Sequence, residues 1–120
     1  MTKRIKRRNS ANELYDNYTF PQKLIQYRNG IHITEGIYDI VHNENFSQII
    51  DIICRHKKNF EVEIWKFSRQ HENRFTLMAS NTLNIPFLKL ENIEVDFYFD
   101  DLILIKKNRL ICLPIEENLY

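Results

Sequence analysis

The sequence predicts an α+β domain: an antiparallel sheet of four or five strands with two or three helices packed on one face. Three observations predict it. Apolar residues recur at helical spacing up to Cys54, and at alternate positions from Phe60 onward. The strands then follow one another with short polar links. Helices followed by consecutive strands pack as layers on an antiparallel sheet, not as crossover units. The chain has 120 residues, 43% of them hydrophobic and 28% charged. That fits a single domain able to bury roughly two thirds of its unfolded surface, and no long internal repeat marks a solenoid.

Residues 1–9 read as a basic arm, and 10–120 as the domain. Ser10 or Asn12 is placed to cap a short helix through Asn17, with Glu13 in its first turn. The stretch 19–30 reads as irregular chain closing on the Asn29-Gly30 turn signal. Ile31 to Thr34 is an extended entry, and Thr34 caps a helix through Val41. Asn43 or Asn45 opens a second, stronger helix. In it Phe46, Ile49, Ile50, Ile53 and Cys54 form one apolar stripe, while Asp51 and Arg55 sit four apart on the exposed side as a weak ion pair.

From Phe60, the residues Phe60, Val62 and Ile64 alternate with Glu61 and Glu63, which marks them as the buried side of a strand. Gln70 to Asn73 turns the chain, Phe75 to Ala79 completes a hairpin, and Pro86 opens a third strand. Leu102–Ile105 and Leu110–Leu113 form a final hairpin, with Asn108 at the positive-φ position of its turn.

Composition removes several classes. No apolar run is long enough for a membrane span. The start, Met1 to Arg8, carries charge without a following apolar segment and does not read as a secretory signal. The expectation is a cytoplasmic protein, and two isolated cysteines, Cys54 and Cys112, fit a reducing compartment. Two glycines cannot build a phosphate-cradling loop, and no nucleophile-elbow, zinc-protease or calcium-loop pattern is present. No cofactor is expected.

Net charge is +1, but five of the first eight residues are basic, which leaves 12 basic against 16 acidic residues in the remainder. That arm, with Lys3, Arg4, Lys6, Arg7 and Arg8, is suited to phosphate contacts. It has no interleaved aromatic, so non-specific nucleic-acid contact is the most it supports, with a solvating tail as the plain alternative.

Other side chains offer sharper chemistry beside plainer explanations. Asp96, Asp100 and Asp101, with Glu94 nearby, could converge on a metal ion or divide acid and base roles. A solvated loop between strands explains them more simply. Trp65 and Phe67 share a strand face, with Tyr98 a candidate neighbour across the sheet. Exposed, the three would anchor a partner protein; buried, Trp65 and Phe67 are core beneath 19–30, the preferred reading. Cys54 and His56 point about 200° apart on a helix and cannot form a thiolate pair. His32, beside Glu35, would need a cross-sheet partner to act as a base. His42 and His71 fall in predicted turns facing solvent.

Four pieces in order resemble a family of small bacterial and phage proteins catalogued only as a domain of unknown function. They are Ile33-Thr34-Glu35-Gly36, the strand Phe60 to Phe67 around Trp65, Asp96-Phe97, and Ile111-Cys112-Leu113-Pro114. The similarity spans roughly residues 27–117. The basic arm departs from the family pattern, as does Asn45-Phe46 where a Tyr-Trp-like pair is expected. The resemblance implies no activity, only a setting in phages and mobile elements, where small accessory proteins bind and block host factors. The leading expectation is therefore a non-enzymatic protein whose partner is another protein. The alternatives are a nucleic-acid-associated module using the arm and a small metal-dependent hydrolase or nuclease using Asp96, Asp100 and Asp101.

Overall fold

The computed structural model describes residues 10–57 and 60–120. Its elements run α1 (Ala11–Leu14), β1 (Ile25–Gln26), β2 (His32–Ile33), α2 (Glu35–Asn43), α3 (Ser47–Arg55), β3 (Val62–His71), β4 (Arg74–Ser80), β5 (Pro86–Glu94), β6 (Asp101–Lys107) and β7 (Leu110–Cys112), then a 3₁₀ helix (Pro114–Leu119). The α+β class holds, but the sheet is wider than expected and mixed. Seven strands lie in the order β1-β2-β7-β6-β3-β4-β5, and β2 pairs with β7 in parallel through His32–Leu110 and Ile33–Ile111. Every other pair is antiparallel. Strands β1 and β2 are two residues each, too short to show a period. The parallel contact joins segments nearly eighty positions apart, for which no local signal exists.

Local chemistry explains the helix starts. Ser10 Oγ accepts from Asn12 N at 3.2 Å, so Ser10 caps α1, which ends at Leu14 instead of running to Asn17. Thr34 caps α2 by accepting from Ile37 N. Helix α3 starts without a side-chain cap; Asn45 before it takes a positive φ of 56°. Its predicted stripe of Phe46, Ile49, Ile50, Ile53 and Cys54 is buried throughout. The expected Asp51–Arg55 pair is replaced: Asp51 instead takes Arg28 Nε at 3.2 Å and the Tyr27 hydroxyl at 3.0 Å.

The buried face of β3 is the opposite of the one expected. Glu63, Trp65 and Phe67 face the helices, while Val62 and Ile64 are half-buried on the reverse side. Both faces carry apolar residues, and the larger rings take the helix-covered side, where burial is worth most. Phe67 stacks on Phe75 at 4.4 Å, and Phe46 and Phe97 close around it at 5.1 and 5.4 Å. Cross-strand neighbours Leu104 and Ala79 flank Trp65 on the same face. On the reverse face Ile105, Leu110 and Cys112 are buried near the 3₁₀ helix.

Where β7 stops, Asn12 completes β6. Its side-chain amide donates to Ile103 O at 3.0 Å and accepts from Ile103 N at 2.7 Å. One side chain thus imitates the missing strand and satisfies both backbone groups of an open edge. The final hairpin turns through Asn108 and Arg109, both at positive φ (50° and 58°), the backbone a two-residue primed turn requires.

Candidate functional site

Among the described residues four polar clusters stand out, each held by hydrogen bonds between its own members. The first is built around Glu116, only 1% exposed. One carboxylate oxygen accepts from Thr34 Oγ1 at 2.5 Å and Leu113 N at 3.0 Å; the other accepts from Gly36 N at 3.1 Å. A Cβ on Gly36 would lie 2.7 Å from Leu113 Cδ1 and 2.8 Å from Glu116 Oε1, so glycine is required there for close approach, not for φ. The Thr-Glu-Gly and Leu-Pro pieces, nearly eighty residues apart in sequence, are two halves of one clamp joined by Glu116. Nothing in the sequence order marked Glu116 itself.

The second cluster closes the C-terminal end of α3. Buried Lys106 donates through Nζ to Ile53 O at 3.2 Å and His56 O at 3.3 Å, a cation on the negative end of the helix dipole. Its cross-strand neighbour Glu63, also buried, accepts from Trp65 Nε1 at 3.2 Å and Phe60 N at 3.3 Å.

The third is the predicted acidic cluster, which Arg69 organises. Its Nε donates to Asp100 Oδ1 at 3.0 Å, and Nη2 donates to the carbonyls of Phe97, Tyr98 and Phe99 at 2.8–3.0 Å. Nη1 donates to Glu72 O, and the guanidinium lies over Phe75 at 4.6 Å. Asp96 is exposed, and Asp101 sits within β6 opposite Ser68. The structure thus ties Asp100 to a cation and leaves Asp96 and Asp101 apart from it. Among the described residues no group of three His, Cys, Asp or Glu side chains is placed to hold a metal ion.

The fourth cluster pins the N-terminal segment. Tyr15, Tyr18 and Tyr27 donate to Glu44, Asp39 and Asp51 on the helices at 2.7, 2.6 and 3.0 Å. Burial, then the bond to Glu44, pushes the Tyr15 hydroxyl up to about 12. Tyr18 and Tyr27 are raised by burial and by their carboxylates. Burial likewise pushes Cys54 up to about 11 and Cys112 to about 12, which keeps both as thiols rather than nucleophiles. The His42 ring packs at a tilt against Tyr38 at 4.0 Å on the exposed side of α2, His71 is exposed at the end of β3, and His32 is half-buried on β2. No hydrogen bond places a carboxylate on His32 among the described residues.

The three aromatic candidates do not form a surface. Trp65 and Phe67 are 0% exposed, whereas Tyr98 is 59% exposed on the loop before β6. The aromatic face of β3 is covered by helices, so it anchors the core instead of a partner. Lys3, Arg4, Lys6, Arg7 and Arg8 lie outside the described residues.

Large exposed apolar side chains occur elsewhere, Leu14 and Phe20 among them, and two of them share the turn between β4 and β5. Leu83 is 76% exposed and Ile85 57%. Asn81 holds the turn: its Oδ1 accepts from Leu83 N at 2.9 Å and Ile85 N at 3.0 Å, its N–H donates to Ile85 O at 3.1 Å, and its carbonyl takes Asn84 N at 3.0 Å. Asn84 adopts a positive φ of 64°. Two residues on from Ile85, half-buried Phe87 meets the exposed Phe60 ring at 5.3 Å. The exposed turn thus leads into a strand whose first aromatic, Phe87, pairs with Phe60.

Comparison with protein-family models, curated proteins and solved structures finds no match for this chain. No described helix is long and apolar enough to cross a membrane.

Proposed function

We propose that this protein is a non-enzymatic binding module that docks onto another protein through the 81–85 turn and the Phe60–Phe87 pair. The observation that carries it is the pinned exposure of Leu83 and Ile85. A mobile tip would lose ordering entropy on docking, whereas a turn fixed by Asn81 presents its two aliphatic chains already arranged. Exposed apolar residues grouped in this way mark an interaction surface. The partner offers an apolar socket for these side chains. The setting implied by the family resemblance makes that partner a host protein whose activity is blocked on binding.

A photo-cross-linking residue at position 83 identifies the partner, and purified partner is then titrated against the Leu83→Glu/Ile85→Glu variant. Two aliphatic anchors at about 1.5–3 kcal/mol each correspond to a hundredfold or greater loss of affinity. Wild-type affinity in the double variant, or capture at position 98 but not at 83, refutes the assignment.

A further inference from the structure

We infer that the opposite chemistry, phosphodiester binding, resides on the folded body at the end carrying Arg28, Arg55 and Arg109, where the protein takes the backbone of a nucleic acid. This goes beyond the protein-docking reading and shares no residue with it. Contacts fixed by the fold link the segments that carry the three arginines. Arg28 Nε reaches Asp51 on α3 at 3.2 Å, and Arg55 lies one helical turn beyond Asp51 on the same side. Arg109 Nη1 lies within 2.7 Å of where a Gly30 Cβ would stand, two residues from Arg28. The two turns are joined by a bond from His32 N to Arg109 O at 2.8 Å.

These cations are not needed to finish the helix. Lys106 already occupies the carbonyls of Ile53 and His56. Arg55 and Arg109 make no ion pair or side-chain hydrogen bond among the described residues, and Arg28 is mostly solvent-exposed despite its contact with Asp51.

The neighbourhood decides the class of ligand. The large exposed apolar residues are Leu14, Phe20, Tyr38, Phe60, Leu83, Ile85, Tyr98 and Ile115. None falls within residues 23–34 or 104–113; the Phe60–Phe87 pair reaches the 51–57 segment through the His56 ring, 6.2 Å from Phe87. A protein interface draws its affinity from apolar and aromatic anchors at its centre. Nucleic-acid interfaces are polar and strongly positive, and planar guanidinium groups fit phosphate oxygens in pairs. Exposed arginines whose own turns carry no large exposed apolar residue fit the second description. No side chain here is arranged to read base edges, so binding is to the backbone and independent of sequence.

The test is fluorescence anisotropy of the full chain with labelled single-stranded and duplex oligonucleotides at several salt concentrations. Each phosphate contact contributes about one unit to the slope of log affinity against log salt. Arg55→Gln/Arg109→Gln, which leaves the Arg28–Asp51 pair intact, should lower the slope by about two units. Adding Arg28→Gln should lower it by about three. Affinity in low salt should fall at least tenfold while the melting temperature stays near wild type. Either variant keeping the wild-type slope would assign binding to residues 1–9 alone and overturn the inference. So would failure of the intact protein to bind either oligonucleotide, or equal affinity for polyglutamate, which would point to an acidic protein instead.

Discussion

Replacing Glu116 with Gln strikes the one carboxylate that holds β2, α2 and the C-terminal 3₁₀ helix together. The amide must present its oxygen to one set of donors and its NH₂ to the other. Facing its oxygen toward Thr34 and Leu113 keeps two bonds but sets NH₂ against Gly36 N–H. A buried donor left unsatisfied costs about 1–3 kcal/mol, and two bonds that lose their charge weaken by about 1 kcal/mol each. The neutral amide is easier to bury, which offsets about 1 kcal/mol. The net expectation is a loss of about 2–4 kcal/mol, or a melting temperature lower by roughly 10 °C for a chain of this size.

Urea denaturation followed by tryptophan fluorescence reads it directly, since Trp65 is buried. Glu117→Gln is the internal control: its side chain is only half-buried next door, and its midpoint should move by less than about 0.5 kcal/mol. Thr34→Val combined with Glu116→Gln should cost less than the sum of the two, because they share a bond. A Glu116→Gln midpoint within about 0.5 kcal/mol of wild type would show that the clamp does not support the fold, and the account of Gly36 would fall with it.

Ile49→Ala and Ile53→Ala should each cost about 2–5 kcal/mol in denaturant titrations, since both side chains are fully buried. Ile64→Ala, half-buried on the reverse face, should cost clearly less than either; an equal cost would restore the face expected from sequence. Tyr15 contributes stability that is fully present below its unfolded value of 10.0 and is lost as pH rises through about 12. Tyrosinate absorbance should accordingly show Tyr15 titrating late, with Tyr15→Phe reducing the amplitude of a late phase to which Tyr18 and Tyr27 also contribute. Asp96→Asn and Asp101→Asn should leave partner affinity and stability near wild type, whereas Asp100→Asn should cost about 1–2 kcal/mol by leaving Arg69 short of its charged partner, measured by melting temperature and titration.

Much of the fold was legible because its signals are local. The α3 stripe, the Thr34 cap and the positive φ at Asn108 each follow from a few neighbouring residues, and each stands where the sequence put it. The parallel pairing of β2 with β7 was not legible, because two-residue strands have no period and parallel partners are distant by construction. The face of β3 was misread because alternation tells which residues share a side, not which side the helices cover. Trp65 against Ile64 is settled only by what packs above the sheet. The candidate surface was missed for a related reason. Leu83 falls in the loop expected before the strand that Pro86 opens, and nothing in a loop's sequence says whether its apolar side chains fold inward. The exposure of Leu83 and Ile85 and the bonds to Asn81 show a turn fixed with both turned outward.

The acidic residues of the helices illustrate why composition alone misplaces a binding site. Between Ile31 and Cys54 the sequence has no Lys or Arg, and the one partner expected for Asp39, Glu44 and Asp51 was Arg55 for Asp51. In the fold each accepts from a tyrosine of the segment that crosses the helices. That segment has almost no ladder of its own, since β1 is two residues long. Its anchorage comes instead from rings that bury apolar area and hydroxyls that end on carboxylates. The pairing consumes both the irregular segment and the helix carboxylates: the tyrosines need acceptors to be buried, and the carboxylates need donors to be covered. Among the outward groups that remain, two aliphatic side chains share a pinned turn at 81–85, and guanidinium groups lie around the 28–31 turn. A surface that docks an apolar partner and one that takes phosphate have opposite requirements for desolvation. Leu83 and Ile85 are carried on the 81–85 turn and Arg28 and Arg109 on the 28–31 and 108–109 turns, so the side chains that make the two surfaces are distinct.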